Sequence, residues 1–409
     1  MNINSERLWN RIHKLSEIGK DENGGVTRLS FTETERKAKD LVVTFMKDAG
    51  LAVREDEIGN LIGRKEGAIF NSQVVMTGSH IDSVISGGNF DGPAGVLSAI
   101  EALQTMNEKG IVTESPLEVI VFTDEEGARF STGMLGSLSA AGKLSKEELY
   151  SAKDKNGVTI AEAMKQAGLD PELAPNAKRN PEEIKAYVEL HIEQGKVLEN
   201  ADASVGIVTG IVGVDWYRVT LKGEAGHAGT TPMGLRKDPL AAAARIISYG
   251  EEMARNEKSA VVTVGQIEVK PGGINIIPGE VAFSFDIRDI NKENMNDIFE
   301  KLKAYIETTC EERGIELEIE QLHSLDPSPC SERIMKKMEE SFTETEVQSI
   351  KLISGAGHDA MVMASITDMG MIFIRSKDGI SHNPKEWSDQ KDLAMGAEVL
   401  FTTLVKLAS

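Results

Sequence analysis

Cysteine is scarce in this sequence: among 409 residues there are two, Cys310 and Cys330, and no Cys-x-x-Cys pair. That excludes a disulfide framework and a thiolate metal site. One disulfide is conceivable, but two free thiols in a reducing cytoplasm is the plainer expectation. Long apolar runs are missing too. None approaches the roughly 18 residues that a membrane span needs, and the opening MNINSERLWN lacks the basic-then-apolar build of a signal peptide. Positive charge is in short supply, with 45 Lys and Arg against 65 Asp and Glu and a net charge of −20. Phosphate-rich partners would be repelled, so no nucleic-acid partner is expected, and the missing apolar runs leave no membrane partner expected. An anionic ligand would need a local cation against this background. There is no internal repeat and no low-complexity segment.

What is present reads as an ordinary globular chain, long enough for two domains, with 40% hydrophobic residues. Residues 34–49 place Ala38, Leu41, Val42, Phe45 and Ala49 at helical spacing, with Gly50 as a C-cap. Four later segments are short, apolar and β-branched: VVMTGS at 74–79, LEVIVFTD at 117–124, AYVELH at 186–191 and MGMIFIRS at 369–376. Helical patterns lie between several of them, notably 93–108 and 136–149. Buried strands alternating with helices predict a doubly wound, mostly parallel α/β sheet covered on both faces.

Residues 214–322 follow another order. The segments DWYRVTLKG, DPLAAAARIISYGEEMARN, AVVTVGQIEV, VAFSFDIRDI, NKENMNDIFEKLKAYIETTCEER and IELEIEQL read strand, helix, strand, strand, helix, strand. This is the β-α-β-β-α-β pattern of a ferredoxin-like sandwich. The expected organisation is a discontinuous larger domain, 1–213 and 323–409, with 214–322 inserted and crossings near 210–214 and 323–330.

Each of the four strand segments runs into potential metal ligands. VVMTGS leads to His80-Ile81-Asp82, LEVIVFTD to Glu125-Glu126, AYVEL to His191, and MGMIFIRS through a turn to Ser381-His382-Asn383. Ligands of open α/β sheets gather outside the carboxyl ends of the strands. Asp91 joins them from the glycine-rich GGNFDGPAG, where Pro93 suits a first helical turn and a helix N-terminus favours the carboxylate. Singly, a strand-end histidine is usually structural and a Glu-Glu pair is a solvated face. Four strand ends agreeing on one edge outweigh those readings. One carboxylate can bridge two ions, so His80, Asp91, Glu126, His191 and His382 suffice for two divalent metals. With no cysteine in the set, zinc, manganese, cobalt or nickel would suit the nitrogen and oxygen donors.

Together with these, GSHIDSV, GGNFDGPAGV, FTDEEGARF, ELHIEQG, GHAGTTPM, PGGINIIP and SGAGHDA closely resemble the M20-type amidohydrolases acting on N-carbamoyl compounds. That group comprises N-carbamoyl-L-amino acid hydrolases, allantoate amidohydrolases and β-ureidopropionases. The resemblance spans essentially the whole chain. It implies that His80, Asp91 and His191 hold one metal and that Asp91, Glu126 and His382 hold the other. It also makes Glu125 the general base, with Asp82 behind the ligands. The chemistry agrees, since cleaving a ureido bond needs an acidified water and a base to take its proton. Asp82, two residues beyond His80, is a natural acceptor for that ring's other nitrogen.

Alternation in VAFSFDIRDI puts Val281, Phe283, Phe285 and Ile287 on one face and Ala282, Ser284, Asp286 and Arg288 on the other. Taken alone, Arg288 reads as an ion pair with Asp286 or Asp289. The resemblance instead makes it the anchor of a substrate carboxylate, and adds Asn275 and Gln194 as hydrogen-bonding partners. It further assigns His227 to polarising the scissile carbonyl across a homodimer interface built by the inserted lid domain. Gly355 and His358 look like a pocket loop opening a helix, a structural turn being the alternative. His13 and His323 have no supporting context. The expected substrate is a small anionic ureido compound, first an N-carbamoyl-L-amino acid and second allantoate. The residues Asp215-Trp216-Tyr217-Arg218 put an aromatic where an allantoate enzyme would want an arginine, whereas GHAGTTPM and SGAGHDA lean toward the allantoate group. A related aminoacylase or peptidase and a catalytically silent metal-binding scaffold are the remaining readings.

Overall fold

A computed structural model describes residues 2–409. The chain divides into two compact units: the residues up to Gly210 together with Cys330–Ser409, and the intervening Ile211–Pro329. The second unit runs past 322 because one of its strands, Glu316–Leu325, crosses that position, with a bulge between Gln321 and His323.

In the larger unit four parallel strands lie side by side in the order Leu117–Phe122, Val74–His80, Ile184–Ile192, Met369–Ile374. Every residue of the first, second and fourth is buried, which is why they read as continuous apolar runs rather than alternations. Leu61–Lys65 and then Ala52–Glu55 extend one side antiparallel, and Val205–Ile211 runs antiparallel to Met369–Ile374 on the other. The fold is mixed α/β, parallel at the centre of the sheet.

Helices Pro93–Glu108 and Gln390–Ala408 pack on each other and on the central strands, and Ser5–Ser16 packs on the first of them. Their contact is a core of Leu97, Ile100, Leu103, Leu400 and Leu404, joined by Leu8, Ile12 and Leu15. Those three recur at helical spacing along Ser5–Ser16, whose first turn is capped by the Asn4 side chain accepting from the Arg7 N–H. Each such buried side chain contributes about 1.5–3 kcal/mol. The predicted helix over 136–149 is instead two short ones, Leu135–Ala140 and Lys146–Ser151. Gly142 takes a left-handed φ of 71° between them, and the Ser145 side chain caps the second. A helical hydrophobic pattern cannot register a left-handed residue in its middle.

In the smaller unit the antiparallel order is Ile267–Lys270, Glu280–Asp289, Gly213–Lys222, Glu316–Leu325. The single strand expected from AVVTVGQIEV is broken into Val261–Thr263 and Ile267–Lys270, both paired to Glu280–Asp289. Helices Pro239–Arg255 and Lys292–Arg313 pack on each other and on one sheet face. Phe283, Phe285, Val219, Leu221, Ile246 and Leu302 fill the contact. Along Glu280–Asp289 the burial alternates, with Phe283, Phe285 and Ile287 inside and Ser284, Asp286 and Arg288 on the helix-free face. Among the described residues no helix is long and apolar enough to cross a membrane.

Candidate functional site

The carboxyl ends of the four parallel strands converge on one cluster. Val74–His80 ends on its histidine, and His191 is the penultimate residue of Ile184–Ile192. Glu125 and Glu126 follow Leu117–Phe122 through a turn in which Asp124 has a φ of 57°. His382, with a φ of 53°, follows Met369–Ile374 across a loop. Asp91 arrives from the loop that opens helix Pro93–Glu108. Gly92 makes that arrival feasible. Its φ is 80°, and a Cβ there would lie 2.5 Å from the His80 ring.

The Asp91 carboxylate is the centre of the arrangement. Its Oδ1 lies 3.2 Å from His191 Nε2 and 3.5 Å from His80 Nε2, while its Oδ2 lies 3.4 Å from His382 Nε2. His382 Nε2 is 3.3 Å from Glu126 Oε2, and Glu125 Oε2 is 3.7 Å from His80 Nε2. Two sets of side chains thus share Asp91: His80, Asp91 and His191, and Asp91, Glu126 and His382. The donor set fits metal ions on a specific ground, because the Nε2 atoms of His80 and His191 are buried and make no hydrogen bond. Their opposite nitrogens are engaged by carbonyls, His80 Nδ1 with Asp82 O at 3.2 Å and His191 Nδ1 with Ile192 O at 3.0 Å. A carbonyl accepts only a proton, so each ring donates from Nδ1, which leaves Nε2 as the atom that a metal would take.

The electrostatics point the same way. Burial drives the Glu125 carboxyl well above its ordinary range, opposed by His80 and reinforced by Asp359 and Glu126. Burial and then Asp91 push Glu126 up to about 7. His382 is raised to about 9, chiefly by its bond to Asp91. Burial also works against ionisation of Asp91, but its contacts with His191, His382 and His80 hold it well below the usual carboxylate range. Several carboxylates crowded in a dry place repel one another and shed charge, whereas a divalent cation would let them ionise together.

The supporting contacts differ in part from those expected. Asp82 Oδ1 lies 3.5 Å from His80 Nδ1, and the same carboxylate also serves the next loop. Its Oδ1 and Oδ2 accept the backbone N–H groups of Glu125 and Glu126 at 3.2 and 3.1 Å, and its own carbonyl is the nearer partner of His80. Gln194, expected to meet substrate, donates from Nε2 to Asp91 Oδ2 at 2.7 Å and to Ser381 at 3.2 Å. The Ser381 hydroxyl also donates to Asp91 Oδ2 at 2.7 Å. His358 is buried behind the cluster, its ring 4.4 Å from that of His191 and its Nε2 3.0 Å from Ser354 Oγ. Burial and then His191 keep it well below the ordinary imidazole range, hence neutral. Gly355 is exposed in the same loop.

Sequence reasoning missed two further carboxylates. Glu386 Oε1 accepts the N–H groups of Phe90 and Asp91 at 2.8 and 3.0 Å, fixing the Asp91 loop. Nothing in the sequence marks it. Glu189, buried two residues before His191, accepts from Ser79 Oγ at 2.7 Å, Tyr187 Oη at 3.1 Å and Ala360 N at 3.0 Å. An acid inside an apolar strand was a legible signal there.

The smaller unit carries the other expected residues. A two-residue pairing sets Gly226–His227 against Ile276–Ile277, and the Asn275 carbonyl accepts from Ala228 N at 3.0 Å. His227 and Asn275 are therefore neighbours, both exposed. The Gly229 N–H donates to His227 Nδ1 at 3.0 Å. Arg288 binds Asp286 through both Nε and Nη2 at 2.9 Å.

The model of the Peptidase family M20/M25/M40 matches residues 76–406. The chain belongs to this family. Among its M20 relatives, the chain is 53% identical over 406 residues to the N-carbamoyl-L-amino acid amidohydrolase of Geobacillus stearothermophilus, covering 99% of each protein. It is 38% identical to the allantoate amidohydrolase of Bacillus subtilis, covering 97% of this chain and 96% of the relative. The crystal structure of an amidase of the hydantoinase/carbamoylase family from Burkholderia multivorans superposes with a TM-score of 0.93 at 34% identity, over 99% of this chain and 98% of that one.

Proposed function

We propose that this M20 protein hydrolyses the carbamoyl C–N bond of an N-carbamoyl-L-amino acid, giving the L-amino acid, ammonia and carbon dioxide with consumption of one water. The observation that carries the reading is the Asp91 carboxylate, which turns one oxygen to His80 and His191 and the other to His382. His80, Asp91 and His191 would hold one divalent ion, and Asp91, Glu126 and His382 a second. Such ions, of zinc, manganese, cobalt or nickel, supply polarisation of the ureido carbonyl and acidify water toward a pKa of about 7. Glu125, beside His80 and bound to neither set, takes the proton of the attacking water and returns it to the leaving nitrogen. Asp82 holds Glu125 and Glu126 in place through their backbone.

By resemblance, Arg288 receives the substrate carboxylate, Asn275 and Gln194 bind polar groups of the substrate, and His227 stabilises the developing oxyanion. Gly355 and His358 line the substrate pocket in the same reading. The inserted unit is a ferredoxin-like lid that pairs two copies of the chain. Its strand order supports that fold, and the exposed Met233, Leu235 and Ile274 around His227 support a self-contact. Trp216 stands opposite Asp286 on the helix-free face, exposed to 42%, and favours an apolar side chain on the substrate. Both relatives named above support the class, and the more similar carbamoyl-amino acid enzyme supports the substrate.

A panel of N-carbamoyl-L-methionine, N-carbamoyl-β-alanine and allantoate, assayed with manganese or zinc, tests the proposal. The methionine compound is expected to turn over at least tenfold more efficiently than the others. Preference for allantoate would replace the substrate while leaving the chemistry. Inactivity on all three would remove the carbamoyl reading.

A further inference from the structure

Arg28 is among the most deeply buried large side chains of the protein, with 1% of its surface exposed. Its guanidinium donates to three backbone carbonyls: Ile81 at 2.7 Å from Nε, and Ile18 and Leu15 at 3.2 and 3.3 Å from Nη1. Ile81 is the residue between His80 and Asp82. The backbone around Arg28 is stitched to the same segment. Arg28 N donates to Ser83 Oγ at 3.0 Å and Ser83 N to Arg28 O at 3.2 Å. Val26 and Gly87 exchange N–H to carbonyl bonds at 3.0 and 2.9 Å, and Ser86 N donates to Thr27 Oγ1 at 2.8 Å. Residues 26–28 thus fix the chain along its path from His80 to Asp91, and they lie ahead of the segment that matches the family model.

A buried guanidinium costs several kcal/mol in desolvation, and an apolar side chain of similar volume would fill the same place without that cost. Burial lowers its pKa to about 10, against the pull of Asp82 and Glu386, so the group is a cation at neutral pH. Those two carboxylates are the ones that grip the backbones of Glu125–Glu126 and of Phe90–Asp91. One buried cation is therefore attracted electrostatically by both supports of the cluster.

We propose that Arg28 is a positioning residue of the metal centre, clamping the Ile81 carbonyl so that His80 and Asp82 keep the orientation that binds metal. The inference rests on the two-metal reading above. Its test is metal affinity, measured on the full chain after chelator stripping by titration with Zn²⁺ against a competing chelator. Arg28→Met is expected to weaken binding roughly 10- to 100-fold, the usual effect of removing a group behind the ligands, with two ions still bound at saturation. Arg28→Lys, which keeps the charge and loses the planar fork, should fall in between. Unchanged affinity with a lowered melting temperature of the metal-free protein would make Arg28 merely structural and overturn the proposal. If Arg28→Met does not fold, Ser83→Ala removes one stitch without removing the charge. A smaller loss of affinity supports the proposal there, and none overturns it. A wild-type chain that takes up no metal would overturn the two-metal reading itself, and Arg28's role with it.

Discussion

His80 and His227 are both histidines singled out for chemistry, yet they live in opposite surroundings. His80 is 1% exposed, held at Nδ1 by the Asp82 carbonyl, with its Nε2 facing Asp91 at 3.5 Å. His227 sits in the open on a strand pairing two residues long. The contrast extends to their units. Around His80 most of the cluster is backed by a named group: Asp82 behind the two glutamates, Glu386 and Gln194 behind Asp91, Ile192 behind His191. In the smaller unit His227 and Asn275 are exposed, and Arg288, on Glu280–Asp289, is half-buried and tied to Asp286. The first region is organised before any ligand arrives, whereas the second has contacts it can exchange. Pre-organisation suits groups that act on the transition state, and exchangeable contacts suit recognition.

The largest effect should come from the organised region. Glu125→Gln is expected to lower kcat by about 10²–10⁴-fold with metal content unchanged by elemental analysis. Full activity would refute the base. His227→Ala tests whether the open region also acts chemically. A loss of about 10²–10³ in kcat at unchanged metal content is expected for an oxyanion donor, and loss of a bound ion would move His227 into the other region. Arg288→Ala should raise KM by about 10–100-fold, the worth of a charge-assisted fork, and unchanged kinetics would take it out of the site.

The smallest effect concerns stability in the stripped protein. Glu126 is raised from 4.5 to about 7 and His382 from 6.5 to about 9. In both cases the folded form keeps a proton that the unfolded chain has released. The contribution of His382 is full below 6.5 and lost through 9, and the folded state is likewise penalised as Glu126 ionises between 4.5 and 7. The melting temperature of the metal-free protein should therefore fall as pH rises from 5 to 9, and saturating Zn²⁺ should flatten that slope. A rise with pH would contradict the crowding of carboxylates described for the cluster.

The sequence made the strands' destinations legible, since an apolar β-branched run followed at once by His or Glu marks a buried strand and the edge it reaches. The partners were hidden, because they join residues far apart in the chain. Asp82 reaches Glu125 and Glu126, Glu386 reaches Phe90, and Arg28 reaches Ile81. No local pattern encodes such pairs. In the smaller unit the strand alternation disclosed the face Arg288 occupies and put Asp286 among its two candidate ion-pair partners, and the structure pairs it with Asp286. The break between Val261–Thr263 and Ile267–Lys270 was equally hidden, because both pieces keep their pairing to one strand.

The cluster also has a temporal consequence. Its five members span the chain from His80 to His382, and the strand that delivers His382 docks beside the one that delivers His191. A nascent chain can pair its early strands and fold the loop bearing Asp91, but it cannot complete the second set until Met369–Ile374 has joined the sheet. A bound pair of ions would then tie four strand ends to one another like a rivet set last, so that the metal-loaded state certifies a finished sheet. Partly made or locally opened molecules would be left without the chemistry.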